Sequence, residues 1–154
     1  MKKLTSNQIR VLHVDDDPNI GELVAYRLQH EIDQITVQTA TTTKKGRSIL
    51  ANDTVDCIIS DYDMPTQNGL EFLETIRGDY PDLPFILYTS RSSAEIVNEA
   101  ICAGVTDYLQ KETDTSHYKL LANRITNYVS QYRLKKQLAR HENILALSTV
   151  PDVE

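Results

Sequence analysis

The feature that most constrains this chain is an alternation of two hydrophobic periods, repeated five times. Ile9 to Val14 is a mostly apolar run that breaks at Asp15-Asp16-Asp17-Pro18. Pro18 suits the first turn of a helix and Asp17 suits its N-cap. Ile20, Leu23, Val24 and Leu28 then recur at helical spacing. Ile35 to Thr39, Val55 to Ser60, Phe85 to Tyr88 and Val105 to Leu109 read as further short strands. Between them, Thr41 to Asn52 predicts a helix with Ile49 and Leu50 on its apolar face. Asn68-Gly69 opens another, carrying Leu70, Leu73 and Ile76. Ser92 and Glu95 form a capping box for a helix with Ile96, Val97, Ala100 and Ile101, which Gly104 ends. A last helical pattern starts near Thr115. Apolar strands alternating strictly with helices across short loops predict an α/β fold. Its sheet is open, parallel and covered on both faces.

Composition narrows the class. A chain of 154 residues with 40% apolar side chains can build one core. Its apolar runs are only a few residues long, too short to span a bilayer. Residues 1–10 lack the apolar centre of a signal peptide. Cys57 and Cys102 lie in apolar stretches without metal or redox spacing, so both are expected to be reduced, buried and structural. A cytoplasmic protein is the expectation. Charge is uneven: residues 1–114 hold 10 Lys and Arg against 19 Asp and Glu, whereas residues 115–154 hold 6 against 3. So acidic a body disfavours direct nucleic-acid contact. No Gly-x-Gly-x-x-Gly follows the first strand and no phosphate-binding Gly-x-x-x-x-Gly-Lys-Ser/Thr is present, which disfavours dinucleotide and nucleotide sites.

The chemistry-bearing residues share one kind of position. Asp15 and Asp16 follow the first strand, Asp61 the third, Thr89 the fourth and Lys111 the fifth. In a parallel sheet these strand ends line one edge, where such folds place their sites. Three carboxylates brought together resist ionising together, and oxygen-only ligands point to Mg²⁺ as the cation that relieves them. Lys111 supplies a flexible charge for a phosphoryl oxygen and Thr89 a hydroxyl. The set fits phosphoryl transfer with an aspartate nucleophile, Asp61 on the central strand being the candidate. Singly, each residue has a plainer reading: Asp15, Asp16 and Asp17 as helix caps and dipole partners, Asp61 and Thr89 as turn residues, Lys111 as a solvated cation. Their joint position favours the functional one.

At these residues the sequence resembles the receiver domain of two-component response regulators. The matched motifs are Val14-Asp15-Asp16, Asp61-x-x-Met64-Pro65-x-x-x-Gly69, Pro84-x-x-x-x-Thr89 and Gly104-x-x-Asp107-Tyr108-Leu109-x-Lys111. The resemblance implies a flavodoxin-like, doubly wound, five-stranded sheet of order 2-1-3-4-5 in a three-layer sandwich. It implies that Asp61 accepts a phosphoryl group from a sensor histidine kinase. Mg²⁺ would be held by Asp16, Asp61 and the backbone carbonyl of Asp63 directly, and by Asp15 through water. Lys111 would bridge to the phosphoryl group. Thr89 would swing toward it and Tyr108 would turn inward, switching the face of helix 4, strand 5 and helix 5. Asp63 and Arg91 would flank the path of the attacking water and set the lifetime of the phosphoryl group. Family members usually carry Pro after the Lys, on a cis bond; here it is Glu112. Cis before a non-proline residue costs about 3–4 kcal/mol, and both isomers stay open from sequence. Ser90 replaces a smaller residue after Thr89. His13, inside the first strand, reads as a satisfied structural histidine.

A receiver ends near residue 132, so residues 7–132 form the expected domain and residues 133–154 a helical extension or linker with a polar tail. Tyr118, Leu121, Ile125, Tyr128 and Tyr132 step by 3, 4, 3 and 4, and Leu134, Leu138, His141 and Leu145 continue on a shifted face. Beyond residue 133 the helix is not expected to pack on its own domain. That points to a homodimer through the last helix, a connector to a fused signalling module, or a solvated helix end. Arg133, Lys135, Lys136 and Arg140 read as the solvated face. The segment from Asp107 to Lys111 resembles receivers that precede sensory or kinase modules in archaeal multidomain sensors. Too few residues follow for a winged-helix module, so the output would run through a downstream protein or a linked module. Two other readings compete. One is a phosphorylation-independent docking module of the same fold. The other is a haloacid-dehalogenase-type phosphatase using Asp61-x-Asp63, disfavoured by Pro65 and by the unexplained Asp15 and Asp16.

Overall fold

A computed structural model describes residues 7–91 and 93–148. Five parallel strands, β1 (Ile9–Val14), β2 (Ile35–Ala40), β3 (Cys57–Ser60), β4 (Phe85–Thr89) and β5 (Asp107–Gln110), form one sheet of order β2-β1-β3-β4-β5. The helices are α1 (Pro18–Glu31), α2 (Thr43–Asn52), α3 (Gly69–Asp79), α4 (Ala94–Cys102) and α5 (His117–Ser148). This is the doubly wound, flavodoxin-like α/β architecture expected above.

Side-chain alternation along the strands sorts the core into two layers. Leu12, Val14, Ile58, Phe85 and Leu87 face α2, α3 and α4, meeting Ile49, Leu50, Phe72, Leu73, Ile76, Ile96 and Ala100. Val11, Cys57, Ile59, Ile86 and Tyr88 face α1 and α5, meeting Val24, Leu28, Leu121, Ile125 and Val129. A fully buried Leu or Ile contributes about 1.5–3 kcal/mol, so the two layers fix the register that aligns the strand ends.

The helix starts follow their caps. Asp17 accepts from the Asn19 N–H ahead of Pro18. Thr42 caps α2. Asn68 and Glu71 form a reciprocal box at α3. At α4 the cap is Ser93, accepting from Ile96 N–H; the expected box of Ser92 with Glu95 falls on Ser92, which lies outside the described residues. Gly104 closes α4 with φ of +90°, which a side chain rarely adopts. Arg77 then ties this corner together, donating to the carbonyls of Gly104, Tyr80 and Leu83.

Four side chains expected inside face outward or lack partners. Cys102 and Ile101 are exposed, because α4 buries only its Ile96–Ala100 stripe and the next two residues rotate away from the sheet. Leu23 is exposed for the same reason on α1. His13, expected to be a satisfied structural histidine, is fully buried but not satisfied. Neither ring nitrogen has a hydrogen-bond partner among the described residues. Burial pushes its pKa down to about 4, so the ring is neutral.

Helix α5 runs without a break from His117 to Ser148. The 3-and-4 seam of its first half is no dimer seam. Tyr118, Leu121 and Ile125 are buried against the sheet, Tyr128 is partly buried there and Tyr132 packs on the opposite layer. Contact with the body also reaches past residue 133. Arg133 pairs with Asp56 at 3.1 Å and Lys135 with Asp82 at 2.8 Å, because their long side chains reach back to the sheet's lower edge. Leu134, Leu138, Ile144 and Leu145 are exposed. Residues 149–154, the expected polar tail, lie outside the described residues. Among the described residues no helix is long and apolar enough to cross a membrane.

Candidate functional site

The carboxyl edge of the sheet gathers four segments. The ladder continues one residue past three strands: Asp15 N–H donates to Ala40 O at 3.1 Å, Asp61 N–H to Val14 O at 2.9 Å and Lys111 N–H to Thr89 O at 2.8 Å. These bonds lock the backbone beneath each functional side chain. One carboxylate oxygen from each of Asp15, Asp16 and Asp61 lies within 4.8 Å of the others. Asp15 and Asp61 are buried and Asp16 is exposed. The Lys111 ammonium sits 2.9 Å from Asp15 Oδ2 and 3.5 Å from Asp61 Oδ1. Gly69 lets α3 approach: a Cβ there would lie 2.3 Å from the Asp61 carbonyl.

Electrostatics at this edge work against a bare cluster. Burial raises the Asp61 pKa above the ordinary carboxylate value. Lys111 opposes that rise, Asp15 adds to it, and hydrogen bonds from Thr89 and the Tyr62 N–H pull it back. One nearby lysine does not offset three carboxylates. The donor set is all oxygen, compact and half open to solvent, which fits a small hard cation such as Mg²⁺. It leads outward into a cleft of about 530 Å³ lined by Asp16, Tyr62, Asp63, Met64, Pro65, Asn68 and Arg91.

Of the remaining predicted residues, Asp63 and Arg91 line this cleft, whereas Thr89 and Tyr108 do not. Thr89 is fully buried at the end of β4 and accepts from Arg91 N–H at 3.3 Å. Asp63 and Arg91 face each other across the mouth at 3.3 Å, and the Arg91 guanidinium lies 5.6 Å from the centre of the Tyr62 ring. Tyr108 is half-buried and its hydroxyl donates to the Arg91 carbonyl. The Lys111–Glu112 bond is trans; no described peptide bond is cis. Sequence reasoning missed Tyr88 and His117. Tyr88 lies beneath the Lys111 ammonium, 5.7 Å from it, and bonds His117. Its position one residue before Thr89, on the other sheet face at the same edge, was the available signal.

Comparison with known proteins agrees with this geometry. Residues 11–123 match the family model described as the response regulator receiver domain. The chain is 29% identical over 112 residues to the response regulator protein PilR of Pseudomonas aeruginosa, a match covering 73% of this chain and 25% of that protein. It is 31% identical over 114 residues to the probable transcriptional regulatory protein TcrX of Mycobacterium tuberculosis, covering 72% and 47%. The chain thus spans a quarter to about half the length of these relatives. Among solved structures, chemotaxis protein CheY4 of Vibrio cholerae superposes with a TM-score of 0.70 at 28% identity, over 77% of this chain and 98% of that one. The response regulator TrrA of Thermotoga maritima, solved in complex with Mg²⁺ and BeF, superposes with a TM-score of 0.68 at 28% identity, over 77% and 99%. The family match over most of the chain, together with the acidic edge that such domains use, leads to one conclusion: this chain belongs to the receiver domains of two-component response regulators, signalling modules phosphorylated on aspartate.

Proposed function

We propose that Asp61 is the phosphoacceptor of a signalling receiver spanning residues 7–132. The observation that carries this is the joint placement of Asp15, Asp16 and Asp61 oxygens within 4.8 Å, with the Lys111 ammonium 3.5 Å from Asp61. An Asp61 carboxylate oxygen attacks the phosphorus of a phosphohistidine on a sensor kinase. The O–P bond forms as the P–N bond breaks, and the imidazole nitrogen takes the electron pair. Lys111 leaves its ion pairs to meet a phosphoryl oxygen. Asp16, Asp61 and the Asp63 carbonyl would hold Mg²⁺, with Asp15 acting through water. Bound there, the ion neutralises charge on the carboxylates and the transferring group.

A phosphoryl group adds about two negative charges and three acceptors. Thr89, already at the Asp61 carboxylate, follows them. Arg91 is bonded to Thr89 through its N–H and to Tyr108 through its carbonyl, so movement of Thr89 loosens the Tyr108 anchor. Tyr108 then turns inward and alters the face of α4, β5 and α5. The output would be a downstream protein or a linked module, reached through residues 133–154 as a connector or as a homodimer helix. Direct nucleic-acid or membrane contact is not part of this reading, and the setting is cytoplasmic. Asp63 and Arg91 guard the cleft mouth, and Asp63→Ala or Arg91→Ala would change the lifetime of the phosphoryl group. Acetyl phosphate with Mg²⁺ should add one phosphoryl group by intact mass, abolished by Asp61→Ala or by chelation. Undiminished labelling of Asp61→Ala would refute the assignment.

A further inference from the structure

Resting on the reading of Asp61 as phosphoacceptor, we propose that Tyr88 and His117 form a positioning pair for Lys111. The pair holds the lysine against the acidic edge and ties it to the first residue of α5. The Lys111 N–H is fixed by the Thr89 carbonyl, but the ammonium sits on a flexible four-carbon stem that the backbone alone does not orient. What underlies the ammonium is an aromatic ring. Lys111 Nζ lies 5.7 Å from the centre of the Tyr88 ring, within the range of a cation–π contact.

Tyr88 is itself held. Alternation along β4 sends Thr89 toward Asp61 and Tyr88 to the opposite face, where its ring packs with Ile59, Ile86 and Leu121. Its hydroxyl meets His117 Nε2, with the Tyr118 hydroxyl as a second hydrogen-bond neighbour. The tautomer follows from the other ring nitrogen. His117 Nδ1 contacts the Asp114 carbonyl, which can only accept, so Nδ1 carries the proton and Nε2 receives the Tyr88 hydroxyl. Burial, and after it the neighbouring Tyr118 phenol, push the Tyr88 pKa up, which keeps the hydroxyl a donor. The His117 ring lies between Tyr88 and Tyr118, with centroids 5.9 and 4.1 Å away.

The chain of contacts is therefore Lys111, Tyr88, His117, and through Asp114 back to the loop that bears Lys111. Further bonds close it: Ser116 N–H to Asp114 Oδ1 at 3.0 Å and Tyr118 N–H to the Thr115 carbonyl at 3.2 Å. His117 is also the first residue of α5. When Lys111 shifts from Asp15 and Asp61 toward a phosphoryl group, the Tyr88 ring and the start of the 32-residue helix feel it directly. This route lies on the α1–α5 side of the sheet, separate from the Arg91–Tyr108 route on the α4 side.

The test reads rate and position separately. Phosphorylation by acetyl phosphate should slow about tenfold in His117→Ala and Tyr88→Phe, a part of the hundredfold that ångström-scale misplacement can cost. His117→Gln, whose side-chain carbonyl can still accept from Tyr88, should keep most of the rate. In a Lys111→Ala background His117→Ala should cost nothing further, whereas general damage to the fold would cost the same in both backgrounds. By NMR, the Lys111 ε-protons should show a ring-current shift that His117→Ala moves toward the free-lysine value. Wild-type rate with unmoved Lys111 resonances in His117→Ala would overturn the proposal. If the wild type takes no phosphoryl group while His117→Ala still moves those resonances, the positioning stands and the reading of Asp61 falls.

Discussion

The carboxyl edge of the sheet and the far end of α5 are two charged regions of this molecule, and they handle charge in opposite ways. At the edge, two buried carboxylates and one exposed one crowd within 4.8 Å, with one lysine between them. At the far end, Arg133 and Lys135 pair with Asp56 and Asp82, Lys136 lies over the Tyr132 ring, and residues 137–146 are exposed. The second arrangement costs the fold little. The first opposes folding and is kept in place by ladder bonds that continue past the strands. Repulsion that a fold retains in a buried place is what the proposed site for a cation and a phosphoryl group calls for. Surface pairs that help the fold mark a fastening.

The sharpest way to break this comparison is to cut core contacts along α5. Ile125→Ala should cost about 2–5 kcal/mol in chemical denaturation, whereas Leu138→Ala, beyond the fastening, should stay within about 0.5 kcal/mol. Equal losses would show that the far end is packed after all. At the other region, Mg²⁺ at a hundred times its dissociation constant should add about 2.7 kcal/mol to the stability of the wild type. That gain should vanish in Asp16→Ala, and its survival there would remove Asp16 from the metal shell. Asp56→Ala should cost about 1–3 kcal/mol, because Asp56 Oδ2 accepts from Arg10 N–H as well as from Arg133. A neutral result would mean that α5 is not fastened there.

The smallest effect has the most telling sign. The raised pKa means that Asp61 holds its proton more tightly in the fold than in the unfolded chain. In its ionised form it therefore opposes folding. That penalty is present above its folded pKa and disappears as pH falls through the ordinary Asp value of about 4. Asp61→Asn should accordingly raise Tm by about a few degrees at pH 7 without Mg²⁺. A lower Tm would mean that Lys111 outweighs the burial and repulsion.

Much of this was legible in the residues. Alternating periods foretold the parallel sheet, and strand ends placed Asp15, Asp16, Asp61, Thr89 and Lys111 on one edge because a parallel sheet has only one such edge. Orientation within short helices was not legible. On α4, Val97, Ile101 and Cys102 are as apolar in sequence as Ile96 and Ala100, and only packing decides which stripe is covered. Nor could spacing distinguish a helix on a sheet from a helix on its twin, since Leu121 and Ile125 satisfy both. The Tyr88–His117 bond joins residues 29 positions apart, through side chains whose types alone announce nothing. His13 was read as a satisfied structural histidine, and its missing partners depend on what Gly21 and Thr39 leave around it.

The central claim is that Asp61 carries the phosphoryl group, and trapping the acyl phosphate tests it most directly. The protein is treated with acetyl phosphate and Mg²⁺, reduced with borohydride and mapped by peptide mass. Conversion of residue 61 to homoserine, with Asp15, Asp16 and Asp63 unchanged, is the predicted result. Reduction at any of those three instead, or at none, would contradict it.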